Sequence, residues 1–110
     1  MEFKLYQAND QIIRVTINED GTPINLKDVE VMFSVSAGHR CIFSKTIGNG
    51  IEVVDEANGV IEITITNNDT DLMPGHYKYE LTITDVDGRR YTTAQDSFYI
   101  KKSYGKECVE

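Results

Sequence analysis

Apolar and polar residues alternate with a period of two along much of this chain. The clearest stretch is Leu72–Ile83, where a turn at Pro74 and Gly75 precedes apolar residues at every second position. Those positions are Tyr77, Tyr79, Leu81 and Ile83. A period of two is typical of a β-strand with one buried face. The same pattern predicts strands at Phe3–Tyr6, Asp10–Asn18, Val29–Ser36, Val60–Thr66 and Arg89–Lys102.

Two shorter stretches, Cys41–Thr46 and Ile51–Val54, alternate less regularly, which is typical of strands at a sheet edge. Turn-forming residues separate the strands. The predicted turns are Glu19–Gly21, Ala37–Arg40, Gly48–Gly50, Glu56–Gly59 and Asp85–Gly88. In the last strand the apolar positions change phase at Ala94–Ser97, which predicts a β-bulge.

Short strands with frequent turns, and no helical period longer than one turn, predict an all-β fold of two stacked sheets. We expect an immunoglobulin-like antiparallel β-sandwich of about seven to nine strands. The spacing Leu72-x-Pro74-Gly75-x-Tyr77 resembles the tyrosine corner of such sandwiches, in which the tyrosine hydroxyl bonds to upstream backbone. We place the sandwich at residues 1–102 and a flexible tail at residues 103–110.

The chain has 110 residues and a formal net charge of -7. One domain is expected at this length. The acidic balance argues against nucleic acid as a partner, because phosphate binding needs a basic surface. The basic pairs Arg89–Arg90 and Lys101–Lys102 fall at a predicted hairpin tip and strand end.

The N-terminal residues do not resemble a secretory signal, and no apolar run is long enough for a membrane span, so synthesis in the cytoplasm without membrane insertion is expected.

Possible metal ligands occur at two places. Asp85-x-Asp87-Gly88 begins like a calcium loop, but Arg89 and Arg90 follow where further acids are needed, so a hairpin turn is the favoured interpretation. Asn67–Asp71 is rich in oxygen ligands and could instead form one helical turn with Asp69 as a cap. We assign no metal or cofactor site to either segment.

The two cysteines and two histidines do not suggest a zinc site, since the cysteines lack partner histidines. Cys41 is expected to lie in a strand and to act as a small hydrophobic residue. Cys108 falls in the predicted tail. His39 is expected at a loop tip, and His76 is expected to face solvent.

No motif predicts catalysis. The serines lack a nucleophile elbow, and the acidic residues lie mostly in turns. We therefore expect no catalytic residues and a domain that is not an enzyme. Five tyrosines could form a sugar-stacking patch, although packing within the sheets is the favoured interpretation. They are Tyr6, Tyr79, Tyr91, Tyr99 and Tyr104.

Four segments together resemble a known family: DQIIRVTINEDGTPINL at Asp10–Leu26, VEVMFSV at Val29–Val35, GVIEITIT at Gly59–Thr66, and LMPGHYKYELTITDVDG at Leu72–Gly88. They are similar to the immunoglobulin-like N-terminal domain of phage baseplate upper proteins and related tail-fibre proteins of phages and prophages of Gram-positive bacteria. The resemblance extends to about Lys102. It implies a non-enzymatic structural domain of the virion tail or baseplate, made in the host cytoplasm.

The resemblance implies contact with other phage structural proteins, and possible homo-oligomers, with no nucleic acid, membrane or cofactor. We expect the contact at an exposed sheet edge in Cys41–Val54. The alternative is a carbohydrate-binding or cell-surface adhesion module. In that case the loop tips Gly48–Gly50, Asn67–Asp71 and Asp85–Arg90 would hold the glycan.

Overall fold

A computed structural model describes residues 2–104 of the chain. Its ten strands are β1 (Phe3–Tyr6), β2 (Gln11–Thr16), β3 (Asn18–Glu19), β4 (Thr22–Pro23), β5 (Glu30–Ala37), β6 (Arg40–Ile47), β7 (Gly50–Asp55), β8 (Val60–Ile65), β9 (Gly75–Thr84) and β10 (Arg90–Lys101). Eight of the described strands are at least four residues long, which agrees with the predicted number. β3 and β4 form a separate two-residue pairing.

The eight longer strands follow the hydrogen-bonded order β1-β10-β9-β5-β6-β7-β8-β2. Within this order β6 and β7 pair at only two positions, Thr46 with Gly50 and Ile47 with Ile51. At this joint the chain leaves a five-stranded layer, β1-β10-β9-β5-β6, and enters a three-stranded layer, β7-β8-β2. The inner faces of both layers belong to one buried cluster. The predicted all-β sandwich is therefore confirmed.

The core follows directly from the alternation in the sequence. In the smaller layer Ile61, Ile63 and Ile65 are completely buried. In the larger layer Phe33 and Phe98 are almost or completely buried, and their ring centroids are 6.3 Å apart. A side chain that points inward from either layer thus meets apolar side chains of the other, and the removal of this surface from water stabilises the sandwich.

The tyrosine corner is present. The hydroxyl of Tyr77, the third residue of β9, donates a hydrogen bond of 2.7 Å to the carbonyl of Met73. This bond fixes the turn that brings the chain from the smaller layer into the larger one. The tyrosine-corner spacing in the sequence therefore corresponds to a tyrosine corner in the structure.

The described strands contain three register shifts, of which two bear on the sequence predictions and the third lies between Val53 and Asp55 of β7. The bulge predicted at Ala94–Ser97 lies one residue earlier, at Thr93, where the register with β9 shifts between Thr92 and Ala94. A second bulge was not predicted: Val35 and Ser36 of β5 oppose Phe43 and Cys41, so Ile42 is the extra residue. Cys41 does lie in a strand, but its predicted burial is wrong, because the bulge turns it outward and it is exposed.

β1 differs from the antiparallel prediction because it pairs in parallel with β10, from Phe3 opposite Phe98 to Tyr6 opposite Lys101. Gln7 extends this pairing. Its amide donates to the carbonyl of Lys101, and its side chain joins the Ser103 amide and the Leu72 carbonyl. The predicted tail is thus anchored at Ser103, while residues 105–110, which include Cys108, lie outside the described residues.

Within residues 2–104, the structure contains no helix that is long and apolar enough to cross a membrane.

Candidate functional site

The Asp85–Gly88 segment is a hairpin turn between β9 and β10, as predicted. The Asp85 carboxylate accepts hydrogen bonds from the amides of Asp87 (2.9 Å) and Arg89 (3.0 Å). Its role in the structure is therefore to hold the turn. Across residues 2–104, no three His, Cys, Asp or Glu side chains lie close enough together to hold a metal ion.

The Asn67–Asp71 segment forms a turn and no helix, and Asp69 does not accept from amides that follow it, as an N-cap would, but bonds back to Thr66. Its carboxylate accepts from the Thr66 amide at 2.8 Å and from the Thr66 hydroxyl at 3.0 Å. It also forms an ion pair of 2.6 Å with Lys45 of β6, and both side chains are about 15% exposed. Burial alone would raise the pKa of Asp69, but the bonds from Lys45 and Thr66 outweigh it and lower that pKa below its ordinary value.

The histidines and tyrosines do not form a single site. His76 is exposed, as predicted, and stacks on Tyr99 at a centroid distance of 4.8 Å. Tyr79 is buried and stacks on Phe33, which is the core role favoured by the sequence. Tyr6 and Tyr91 are both exposed, but they lie at opposite ends of β10, because Tyr6 pairs with Lys101.

The loops of the glycan-binding alternative do not assemble. Asn67–Asp71 precedes the first residue of β9, and Asp85–Arg90 follows its last residue. β9 is ten residues long, which corresponds to about 33 Å of extended strand. Asn67–Asp71 and Asp85–Arg90 therefore lie at opposite ends of β9, and glycan binding at any one of the loops stays a prediction.

The predicted sheet edge in Cys41–Val54 is present in β6. Among residues 2–104, one side of β6 pairs with β5, and on the other side only Thr46 and Ile47 have partners, in β7. The backbone of Arg40–Lys45 is thus unpaired on that side. Phe43 lies on this edge strand, but its ring packs against Phe98 at a centroid distance of 6.1 Å. A substitution of Phe43 would therefore disturb the core as well as the edge.

In the described part of the chain, Glu52–Asp55 of β7 is also unpaired on its β6 side, and β1 and β2 are exposed edges because each pairs on one side only. Exposed charged side chains project from both strands: Lys4 from the four residues of β1, and Arg14 from the six residues of β2. Charged side chains discourage the pairing of an edge with another strand. In β6, by contrast, the four residues Cys41–Ser44 are uncharged.

A groove that the sequence did not predict lies at the other end of the larger layer, between the β9–β10 hairpin and the β3–β4 pair. Tyr91 pairs with Ile83, which is 9% exposed, so both side chains lie on the core-facing side of the sheet. Tyr91 is nevertheless 46% exposed. The groove beside it has a volume of about 460 Å³.

The groove was missed because it depends on the different lengths of the two layers. β9 and β10 have ten and twelve residues, whereas the three strands of the smaller layer have six each. The long hairpin therefore extends beyond the layer that covers its inner face. The sequence contains one signal of the groove, which is the apolar residue Tyr91 close to a turn. Only the pairing of β10 with β9 shows that the smaller layer does not cover this side chain.

The profile of the BppU N-terminal domain family matches residues 1–108. Among solved structures, the N-terminal domain of phage TP901-1 ORF48 aligns with a TM-score of 0.65 and 20% identity, covering 91% of this chain and 84% of that one. The V domain of amphioxus IgVJ-C2 aligns with 12% identity over 88% of this chain and 97% of that one, at a TM-score of 0.33, which is too low to support an argument. No curated protein matches the chain.

Proposed function

The chain belongs to the BppU N-terminal domain family, and from that premise we propose that it is a non-enzymatic structural domain that joins other proteins of a phage tail or baseplate. The observation that carries this proposal is the extent of the family match, which includes every described strand.

The contact surface in this proposal is the unpaired side of β6. Backbone N–H and C=O groups along Arg40–Lys45 can pair with a strand of the partner, and this mode of recognition derives its affinity from main-chain hydrogen bonds. Six residues correspond to about 20 Å of strand. Among the exposed edges in the described residues, this one has the longest uncharged run, Cys41–Ser44.

Labelling of virions with antibodies tests the role of the domain. Antibody raised against the purified chain and coupled to gold should label the tail tip of phage particles in electron micrographs. Particles from a host in which the gene is deleted are the control. Particles that lack the chain altogether, or labelling confined to the capsid, would refute the proposed location.

Alkylation of Cys41 tests the surface. Cys41 is exposed on β6, and Cys108→Ser makes it the sole thiol of the chain. We expect maleimide to modify Cys41 at least tenfold more slowly when the domain is assembled with the tail proteins found in those particles. A matched control carries one cysteine in place of Thr64, which is exposed on β8, with both native cysteines changed to Ser.

The control thiol should react at the same rate in the free and the assembled domain. Equal protection of the two positions would mean that the β6 edge is not the specific contact. Unchanged reactivity of Cys41 in a complex that does form would refute the β6 edge while leaving the structural role in place.

A further inference from the structure

We propose that the groove between the β9–β10 hairpin and the β3–β4 pair binds an extended peptide segment of another protein, in which an apolar side chain is flanked by Lys or Arg. This site is separate from the β6 edge and goes beyond the attachment proposed above. The groove lies where β9 ends and β10 begins, and Ile83 and Tyr91 line it from the core-facing side of the sheet.

The apolar part of the groove consists of Ile24, Val29, Ile83 and Tyr91. Ile24 and Val29 are partly buried against the core, so they form a fixed wall. Tyr91 lines the same groove, and its hydroxyl makes no hydrogen bond within residues 2–104. A half-exposed tyrosine beside a preformed apolar wall is typical of residues that dominate binding energy in protein interfaces.

The charges of the groove specify the occupant. Glu19 and Asp85 line it, and its lining contains no Lys or Arg. Arg90, the nearest basic residue in sequence, is directed to the outer face of the sheet, where it contacts Glu80 at 3.4 Å. Arg90 is thus engaged on the outer face, and a cationic segment meets two carboxylates, with no Lys or Arg among the residues that line the groove.

The size of the groove fits a short peptide segment. Its volume of about 460 Å³ lies within the range of about 300–1,000 Å³ typical of sites for small ligands. This space accommodates one large apolar side chain together with its neighbours, but it is too small for a folded domain. The occupant is therefore a segment that enters in extended form, with the apolar residue against Tyr91 and the basic residues toward Glu19 and Asp85.

Titration with short peptides, followed by ¹⁵N–¹H spectra of the full chain, tests the inference. The probe is an acetylated heptapeptide in which Lys alternates with Leu. Two matched peptides carry Glu in place of Lys, or Ser in place of Leu. We expect the Lys–Leu peptide to shift the amides of Asn18, Glu19, Ile83 and Tyr91, and each matched peptide to bind at least tenfold more weakly.

Substitutions assign the binding to the groove. Tyr91→Ala should weaken the Lys–Leu peptide at least tenfold, whereas Tyr6→Ala should leave its affinity unchanged, because Tyr6 is similarly exposed at the opposite end of β10. Glu19→Arg reverses one rim charge at an exposed position and should also weaken binding at least tenfold. This second variant keeps the test valid if the spectrum of Tyr91→Ala shows a disturbed fold.

Three results would overturn the inference. The first is peptide affinity that neither Tyr91→Ala nor Glu19→Arg changes. The second is a set of shifted amides centred on β6, which would assign the peptide to the strand edge instead. The third is self-association of the unliganded chain that Tyr91→Ala removes, since the occupant would then be a second copy. None of these results bears on the tail-tip labelling, so the two proposals fail independently.

Discussion

Gly59 is the residue whose replacement by alanine should damage this fold most clearly. It is buried at the end of the turn before β8, with φ of +69°. A Cβ atom built at this position would lie 2.7 Å from the carbonyl oxygen of Ile17 and 2.8 Å from that of Ile24. Both contacts are with backbone, so neither can be relieved by rotating a side chain.

Two terms contribute to the expected decrease in the free energy of unfolding. An alanine in the left-handed region costs about 1–2 kcal/mol. Moving the two carbonyls costs about 1–3 kcal/mol more by analogy with overpacked cores. It also strains the bonds from the Ile17 amide to the Gly59 carbonyl (2.8 Å) and from the Ile24 amide to the Ile17 carbonyl (3.1 Å). We therefore expect Gly59→Ala to lower the free energy of unfolding by about 2–5 kcal/mol, a large part of the about 5–15 kcal/mol of a typical domain.

Gly38→Ala is the matched control. Gly38 has a similar φ of +60°, but a Cβ there would meet no atom within 4 Å. This variant isolates the conformational term and should lose only about 1–2 kcal/mol. Urea unfolding monitored by circular dichroism and tyrosine fluorescence measures both losses. Equal losses for the two variants would refute the reasoning, since the carbonyl contacts would then contribute nothing.

Two further predictions concern single polar groups. Tyr77→Phe removes the hydroxyl bonded to Met73 and should lower the free energy of unfolding by about 1 kcal/mol, measured by urea unfolding. Asp69→Asn should cost about 2 kcal/mol at pH 7, because the charged bond with Lys45 is lost. The folded-state pKa of Asp69 is lowered, so its contribution is present above the unfolded pKa of about 3.9 and is lost as the pH falls through the lower folded value.

Controls separate these effects from general damage. Tyr91→Phe removes a hydroxyl that has no partner among the described residues and should leave stability unchanged, in contrast to Tyr77→Phe. For Asp69, the stabilities of the wild type and of Asp69→Asn should converge when urea unfolding is repeated at decreasing pH. A difference that stays constant down to pH 2 would mean that the ionised carboxylate is not the source of the stability.

The sequence predicted the strands whose side chains alternate strictly. In β8 and β9 every second residue is apolar, and the buried positions Ile61, Ile63, Leu81 and Ile83 are those expected. The tyrosine corner was predictable for a similar reason, since Met73 and Tyr77 are four residues apart and their bond depends on one local turn. Local periodicity and local turns need no knowledge of the rest of the chain.

Features that depend on pairing between distant segments were not predictable. The bulge at Ile42 exists only relative to β5, so its effect on Cys41 could not be inferred from the sequence of β6. Thr70 is completely buried, and its hydroxyl donates to the carbonyl of Asn9 at 2.7 Å. Nothing in the polar run Asn67–Asp71 distinguishes Thr70 from its exposed neighbours, because its partner lies 61 residues away.

The parallel pairing of β1 with β10 has a consequence for the order in which the chain can fold during translation. Phe3 lies opposite Phe98, so β1, which is synthesised before the other described strands, cannot pair until β10 has also emerged. At about 5–20 residues per second, synthesis keeps β1 waiting for several seconds. Throughout that time Phe3 and Leu5 remain an unpaired apolar segment that is available to chaperones or to other nascent chains. The smaller layer faces no such delay, because β2, β7 and β8 are complete by residue 65.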